Sequence, residues 1–238
     1  MKIDLHTHSM VSGHAYSTIA EMARSAATRG IEVMAITEHG PAQEDSPNIS
    51  YFRNIHRMPK VIGGVRILRG IEVNMINSEG GVDMPDDVLK TLDVVILGAH
   101  LNCGYVDQGI EKNTEAVIKA MQNPYIKILA HPYAKYFDLD IDKIVQASIE
   151  RDILIEFNVS YLEGPRLDDK KIFGNLKKTL LLLKEAGRKV ILNSDAHNHQ
   201  EVGEFTKALS MLDEFGLEES DILNSDVDAT LVYLGVEK

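Results

Sequence analysis

Short apolar runs alternate with longer amphipathic stretches along the whole chain, and this alternation constrains the fold more than any other feature of the sequence. Seven runs read as strands: Lys2–Leu5, Ile31–Ile36, Val65–Gly70, Asp93–Gly98, Ile126–Ala130, Ile153–Phe157 and Lys189–Asn193. Each is brief and mostly apolar, as parallel strands covered on both faces tend to be. Thr18 and Glu21 form a capping box ahead of a helix that Gly30 ends. Helical spacing also marks Glu111–Gln122, Asp140–Arg151, the Leu-rich Asp169–Ala186 before Gly187, and Gln200–Phe215 before Gly216. Gln43–Met58 reads as a loop with a short helix, and the tail Asp226–Leu234 as a helix. Strand and helix in turn imply a parallel sheet. Seven such units with no Pro-, Gly- or Ser-rich linker between them predict one α/β domain over residues 1–238, a closed or nearly closed barrel. An open doubly wound sheet is the alternative, but no Gly-rich dinucleotide fingerprint follows the first strand.

Charge and composition exclude several roles. The formal net charge is −11, and no Lys/Arg run offers a track for a nucleic-acid backbone. Long nucleic acid is therefore not an expected partner. No apolar run approaches the roughly 18 residues of a membrane span, so no membrane partner is expected. Asp4 breaks the short apolar start, which lacks a signal-peptide pattern. Cys103 is the single cysteine, so no internal disulfide can form. A cytoplasmic location is the expectation.

The chemistry is written in where the histidines fall. Of nine, His6, His8, His39, His100, His131 and His197 come just after expected strand ends, and His14 lies in the loop after the first strand. Glu72 follows the third strand and Asp195 the seventh. In a βα barrel these positions converge on one face. His6-x-His8 places two imidazoles on the same side of an extended backbone, and Asp195-x-His197 repeats the spacing. A lone histidine at a strand end is usually a hydrogen-bonded structural residue. A whole cluster with two carboxylates would leave many buried polar groups unpaired unless a metal joined them. Imidazole and carboxylate together suit zinc, manganese or iron.

These residues resemble a known family. Asp4-Leu5-His6-Thr7-His8-Ser9, Ile36-Thr37-Glu38-His39 and Asn193-Ser194-Asp195-Ala196-His197 look like motifs of the PHP (polymerase and histidinol phosphatase) superfamily. Gly70-Ile71-Glu72-Val73-Asn74, Gly98-Ala99-His100 and Ala130-His131-Pro132 fit its intermediate motifs. Length and the setting of His100 look most like its YcdX-like phosphatases. The resemblance implies a distorted seven-stranded (βα)7 TIM-like barrel with a site for three divalent ions, zinc first and Mn2+ or Fe2+ as alternatives. It implies that His6, His8, Glu72 and Asp195 bind the first ion. Glu72, His100 and His131 would bind the second, and His14, His39 and His197 the third. His56 and His199 have no place in that pattern; His56 reads as a surface or packing residue and His199 as one at the rim.

The activity implied is hydrolysis of a small phosphorylated substrate by a hydroxide shared between the two ions that Glu72 bridges. Glu72, Asp195, His14 and His39 are the candidate catalytic residues, and the proton for the leaving oxygen could come from His14, His39, Asp195 or a bound water. Asn158, Ser160 and Arg166 follow the sixth strand, where they could hold substrate or serve only packing, capping and solvation. The loops 40–49 and 102–108 could set substrate choice. Cys103 has no evident general base and is not expected to be a nucleophile. Three other readings stand beside this one. The first is a phosphodiesterase or nuclease acting on short nucleotides. The second is an amidohydrolase-type barrel, in which a bridging Lys would be expected where His100 stands. The third is a metal-binding domain without turnover.

Overall fold

The apolar runs form strands that lie side by side in nearly chain order. In the computed structural model they are β1 (Ile3–Asp4), β2 (Val33–Ile36), β3 (Val61–Ile62), β4 (Val65–Asn74), β5 (Val94–Gly98), β6 (Ile128–Leu129), β7 (Leu154–Asn158) and β8 (Ile191–Asn193). Residues 1–237 are described, so the last position of the expected 1–238 span lies outside the described residues. The order β1-β2-β4-β5-β6-β7-β8 is parallel throughout, and β3 pairs antiparallel with β4. The helices are α1 (Ile19–Thr28), α2 (Ile49–Asn54), α3 (Asp86–Leu89), α4 (Ile110–Ala120), α5 (Ile141–Arg151), α6 (Gly164–Leu167), α7 (Lys170–Glu185), α8 (Thr206–Ser210) and α9 (Val227–Leu234). The result is a nearly closed barrel of seven parallel strands, a distorted (βα)7 TIM-like fold.

Closure between β1 and β8 is made by side chains. Leu5 N donates to Asn193 Oδ1 at 3.1 Å, and Ser194 N to Asp4 Oδ1 at 3.2 Å. The buried Asn224 amide donates to Ile3 O at 2.9 Å and Leu192 O at 2.6 Å, and its Oδ1 accepts from Leu192 N at 3.1 Å. Asn224 thus supplies ladder partners that a neighbouring strand would otherwise give. Further up, Thr7 bridges Ala196, and His8 N donates to Ala196 O at 2.8 Å.

Two apolar layers follow from strand alternation. One packs the outer strand faces against the helices. The other gathers Ile3, Leu5, Val33, Ala35, Val94, Ile96, Ile128, Leu154 and Ile191 from alternate positions, with Leu231 and Leu234 of α9 packed against them. Tyr233 of α9 donates to Lys127 O and Asp152 O, just ahead of β6 and β7, so α9 covers the N-terminal end. Toward the C-terminal end the same register turns polar: Leu68 gives way to Gly70, Glu72 and Asn74, Ile96 to Gly98 and His100, Leu154 to Glu156 and Asn158, and Ile191 to Asn193 and Asp195. That switch places the polar cluster at the C-terminal mouth.

Several expected elements need correction. The expected helix Gln200–Phe215 exists only as α8, Thr206–Ser210. Gly203 stands at φ 68° and donates its N–H to Asp4 Oδ2 at 2.9 Å, which holds the preceding residues in turns. The third expected strand, Val65–Gly70, continues to Asn74, so Glu72 sits within β4 rather than after it. The short β3 was not expected; Gly63 and Gly64, both at positive φ, turn it back onto β4. The capping box at Thr18, the short helix within Gln43–Met58 and the helical tail are present as expected.

Candidate metal centre

Glu72 is the hub of the mouth. Its side chain is fully buried, and Oε1 lies 3.3 Å from His100 Nε2 and 3.3 Å from His131 Nε2. Oε2 lies 3.3 Å from His6 Nε2, 3.6 Å from His8 Nε2 and 2.8 Å from His39 Nδ1. Asp195 Oδ1 is 3.5 Å from His6 Nε2 and 3.3 Å from His8 Nε2. His14 and His39 approach Nε2 to Nε2 at 3.2 Å, and the His197 ring lies 4.6 Å from His8 and 4.9 Å from His14. All nine sequence-designated positions therefore meet at one place. His56 does not; it is exposed and faces Arg53 O at 3.1 Å. His199 stands at the rim, exposed, with Nδ1 3.0 Å from Ser17 Oγ.

The donor set fits divalent metal. His6 Nε2, both ring nitrogens of His8, His39 Nδ1 and both oxygens of Glu72 are buried without a hydrogen-bond partner. The contact of His39 Nδ1 with Glu72 is short, but its alignment is not that of a hydrogen bond. Such orphaned groups are costly unless something binds them. Ligands on a tetrahedral ion with bonds of 2.0–2.2 Å stand about 3.3–3.6 Å apart, which is the spacing from Glu72 to His6, His8, His100 and His131, whereas His39 comes closer. Three ligand groups have donor atoms within 4.8 Å of one another: His6, His8 and Asp195; His39, Glu72 and His100; and His8, His39 and His197.

Residues around the cluster aim it. His6 Nδ1 donates to Glu156 Oε1 at 2.7 Å, because a carboxylate can only accept. His100 Nδ1 donates to Asn74 Oδ1 at 2.7 Å, and His197 Nδ1 to Asp195 O at 2.8 Å. Each bond leaves Nε2 with its lone pair, the tautomer a metal needs. Asn74 is fixed by Asp83, which accepts from its N at 2.9 Å and its Nδ2 at 2.6 Å. Asn158 Nδ2 donates to Glu156 Oε2 and Asp195 Oδ2, both at 3.0 Å. Glu156, Asp83 and Glu38 carry no role in the sequence reading. One available signal was an acid inside an apolar strand, as Glu156 is in Ile153–Phe157.

Backbone geometry serves the same end. His131 (φ 28°) and Asp195 (φ 55°) are two of five non-glycine residues at positive φ among the described residues, a conformation that surrounding contacts must impose. Gly98 is required for space: a Cβ there would lie 2.4 Å from His100 Cε1 and 2.8 Å from Glu72 Oε1.

Electrostatics sort the histidines. Burial pushes His39 down to about 4 and His8 well below its usual range. Burial alone would lower His6, but Glu156, Glu72 and Asp195 together raise it well above. Burial would also raise Glu72, yet His100, His6 and His39 hold it well below the usual carboxylate range. The Cys103 thiol is pushed up to about 12 by burial and by Asp83 and Glu72, which agrees with its reading as no nucleophile.

A cavity of about 570 Å³ opens over the cluster, lined among others by His14, Gln43, Tyr136, Glu163 and Arg166. That volume suits a metabolite. Arg166 lies over the Tyr161 ring at 4.8 Å and donates to Ser160 Oγ at 3.0 Å, while Ser160 Oγ is 3.4 Å from Asp195 Oδ2.

A βα barrel with this donor set at its mouth defines a metal-binding barrel protein. The chain belongs to the PHP domain family, whose pattern matches residues 4–218. It is 39% identical over 237 residues to a probable phosphatase of Thermoanaerobacter sp. (strain X514), covering 99% of this chain and 95% of that protein. It is 38% identical over 236 residues to a probable phosphatase of Acetivibrio thermocellus, covering 99% and 96%. Its fold is similar to that of histidinol phosphate phosphatase from Lactococcus lactis, solved with zinc, L-histidinol and phosphate. The TM-score is 0.64 at 18% identity, over 91% of this chain and 94% of that one. Among the described residues no helix is long and apolar enough to cross a membrane.

Proposed function

We propose that the protein is a metal-dependent phosphatase that hydrolyses phosphate monoesters at a site for three divalent ions. The observation that carries this reading is Glu72, whose two buried oxygens face different sets of imidazoles and have no hydrogen-bond partner. Relatives of nearly the same length that are named probable phosphatases support the reaction class. In this reading His6, His8 and Asp195 share the first ion with Glu72. His100 and His131 share the second with it, and His14, His39 and His197 hold the third. Zinc suits the imidazole-rich set, with manganese or iron as alternatives. Bound there, such ions supply Lewis acidity, bringing water toward a pKa of about 7 and offsetting phosphate charge.

The protein's own groups prepare this chemistry. Glu156, Asn74 and the Asp195 carbonyl hold imidazole lone pairs toward the centre. Asn158 steadies Asp195 through Oδ2, leaving Oδ1 toward His6 and His8. Arg166 sits on the cavity wall beside Ser160, and its planar guanidinium suits a phosphate. Glu72, Asp195, His14 and His39 make up the proposed catalytic set, and the proton for the leaving oxygen would come from His14, His39, Asp195 or a bound water. A small phosphorylated substrate fits the cavity, whereas the acidic chain disfavours long nucleic acid.

The test is a paired assay of metal-loaded protein on 4-nitrophenyl phosphate and bis(4-nitrophenyl) phosphate. The proposal expects the monoester to be cleaved with the larger kcat/KM. Preference for the diester would move the activity to short phosphodiesters, and cleavage of neither would favour a metal-binding domain without turnover.

A further inference from the structure

The candidate ligands are not all anchored alike. His6, His100 and His197 each have Nδ1 held by a hydrogen bond. His14 instead stands on the loop between β1 and α1, exposed and next to the exposed Gly13. Its ring must be placed by the loop that carries it, and one buried carboxylate organises that loop. Glu38, just past β2, is fully buried. Ser9 N donates to its Oε1 at 3.2 Å and Oε2 at 3.1 Å, and Ser9 Oγ donates to Oε1. Ser12 Oγ donates to Oε2 at 2.7 Å and accepts from His39 N at 3.3 Å.

The loop folds around these bonds. Ser12 N donates to Ser9 O at 2.9 Å, and Ala15 N to Ser12 O at 2.8 Å. The turn held by Glu38 therefore passes directly into the residue that presents His14 to His39, 3.2 Å away. Because Ser12 bonds both Glu38 and the His39 backbone, a single clamp sets His14 and His39 relative to each other. His100 and His131 come from other strands and from loops this clamp does not reach, and Glu72 meets it only through backbone pairing, Glu72 N donating to Glu38 O at 3.0 Å, which side-chain substitutions at Glu38 and Ser12 leave in place.

We propose that Glu38, with Ser9 and Ser12, is the positioning element of the third metal site, and that it governs retention of that one ion. The inference rests on the three-ion reading. The experiment is metal analysis of the full chain, reconstituted and then gel-filtered, together with chelator competition, for the unaltered protein, Glu38→Ala, Glu38→Gln and Ser12→Ala. Glu38→Ala should lose one ion per chain while keeping the other two, with affinity for the lost ion down about 10–100-fold, as for other groups that orient ligands. Glu38→Gln, which keeps one oxygen for Ser9 N, should recover part of that loss, and Ser12→Ala should lie between it and the unaltered protein. Urea unfolding of the chelated proteins separates this from general damage, since Ser12→Ala removes the bonds to Glu38 Oε2 and from His39 N but leaves those from Ser9, and should unfold cooperatively. Three ions held with unchanged affinity in every variant would overturn the inference and leave the three-ion reading standing. Parallel loss of all ions in every variant would give Glu38 a general structural role and overturn it as well. Fewer than three ions in the unaltered protein would overturn the three-ion reading, and this inference with it.

Discussion

At Glu72 a single carboxylate faces five imidazoles from different parts of the chain. Glu72→Gln keeps the size but replaces one oxygen with an amide nitrogen that cannot ligate. Activity should fall at least about 100-fold, beyond what loss of an orienting residue usually causes, and metal analysis should show ions missing. Glu156→Gln is a milder probe: the His6 Nδ1 bond weakens, and chelator competition should show metal affinity lower by about 10–100-fold. Gly98→Ala changes no ligand, yet its Cβ must displace the His100 ring and Glu72, so it should lose metal while still folding. The candidate ligands were legible in the sequence because their spacing and, for all but Glu72 within β4, their places after strands are local properties. The roles of Glu156 and Asp83 were not. Glu156 acquires its role from His6 and Asn193, 150 and 37 positions away, which become neighbours only when the barrel closes.

At the scale of elements, the alternation of runs was enough to foretell the parallel sheet, because buried parallel strands need apolar residues on both faces. The segment 200–215 shows where periodicity misleads. Val202, Phe205, Ala208, Met211, Leu212 and Phe215 have helical spacing and all are buried, but Gly203 gives its N–H to Asp4 and the chain turns there. The link is made across the barrel seam, so no local pattern carries it. The seam also depends on Asn224. Asn224→Ala would leave Leu192 N and the carbonyls of Ile3 and Leu192 without these bonds. We expect a loss of about 2–4 kcal/mol in urea unfolding, with little change in slope, because buried groups become unsatisfied. A loss below about 0.5 kcal/mol would mean that the seam is held elsewhere.

For the whole molecule, fold and site oppose each other until metal is present. The barrel gathers Glu72, Asp195 and the imidazoles into a mouth where six buried ring or carboxylate atoms lack partners. Ions that bind only the folded chain return that cost as stability. Chelation should therefore lower the melting temperature, by about 5–10 °C for each ion held at a hundredfold excess over its dissociation constant. The acidic chain, at −11, would otherwise repel an anionic substrate; in the three-ion proposal the divalent ions would outweigh the two carboxylates and reverse that field locally.

The most direct test is phosphate release from 4-nitrophenyl phosphate by chelated protein as zinc or manganese is added back in steps. No release is expected without metal, then activity that rises with each addition and levels off at about three ions per chain. Unchanged release from fully chelated, folded protein would contradict it, because the cluster around Glu72 would then have no part in the reaction.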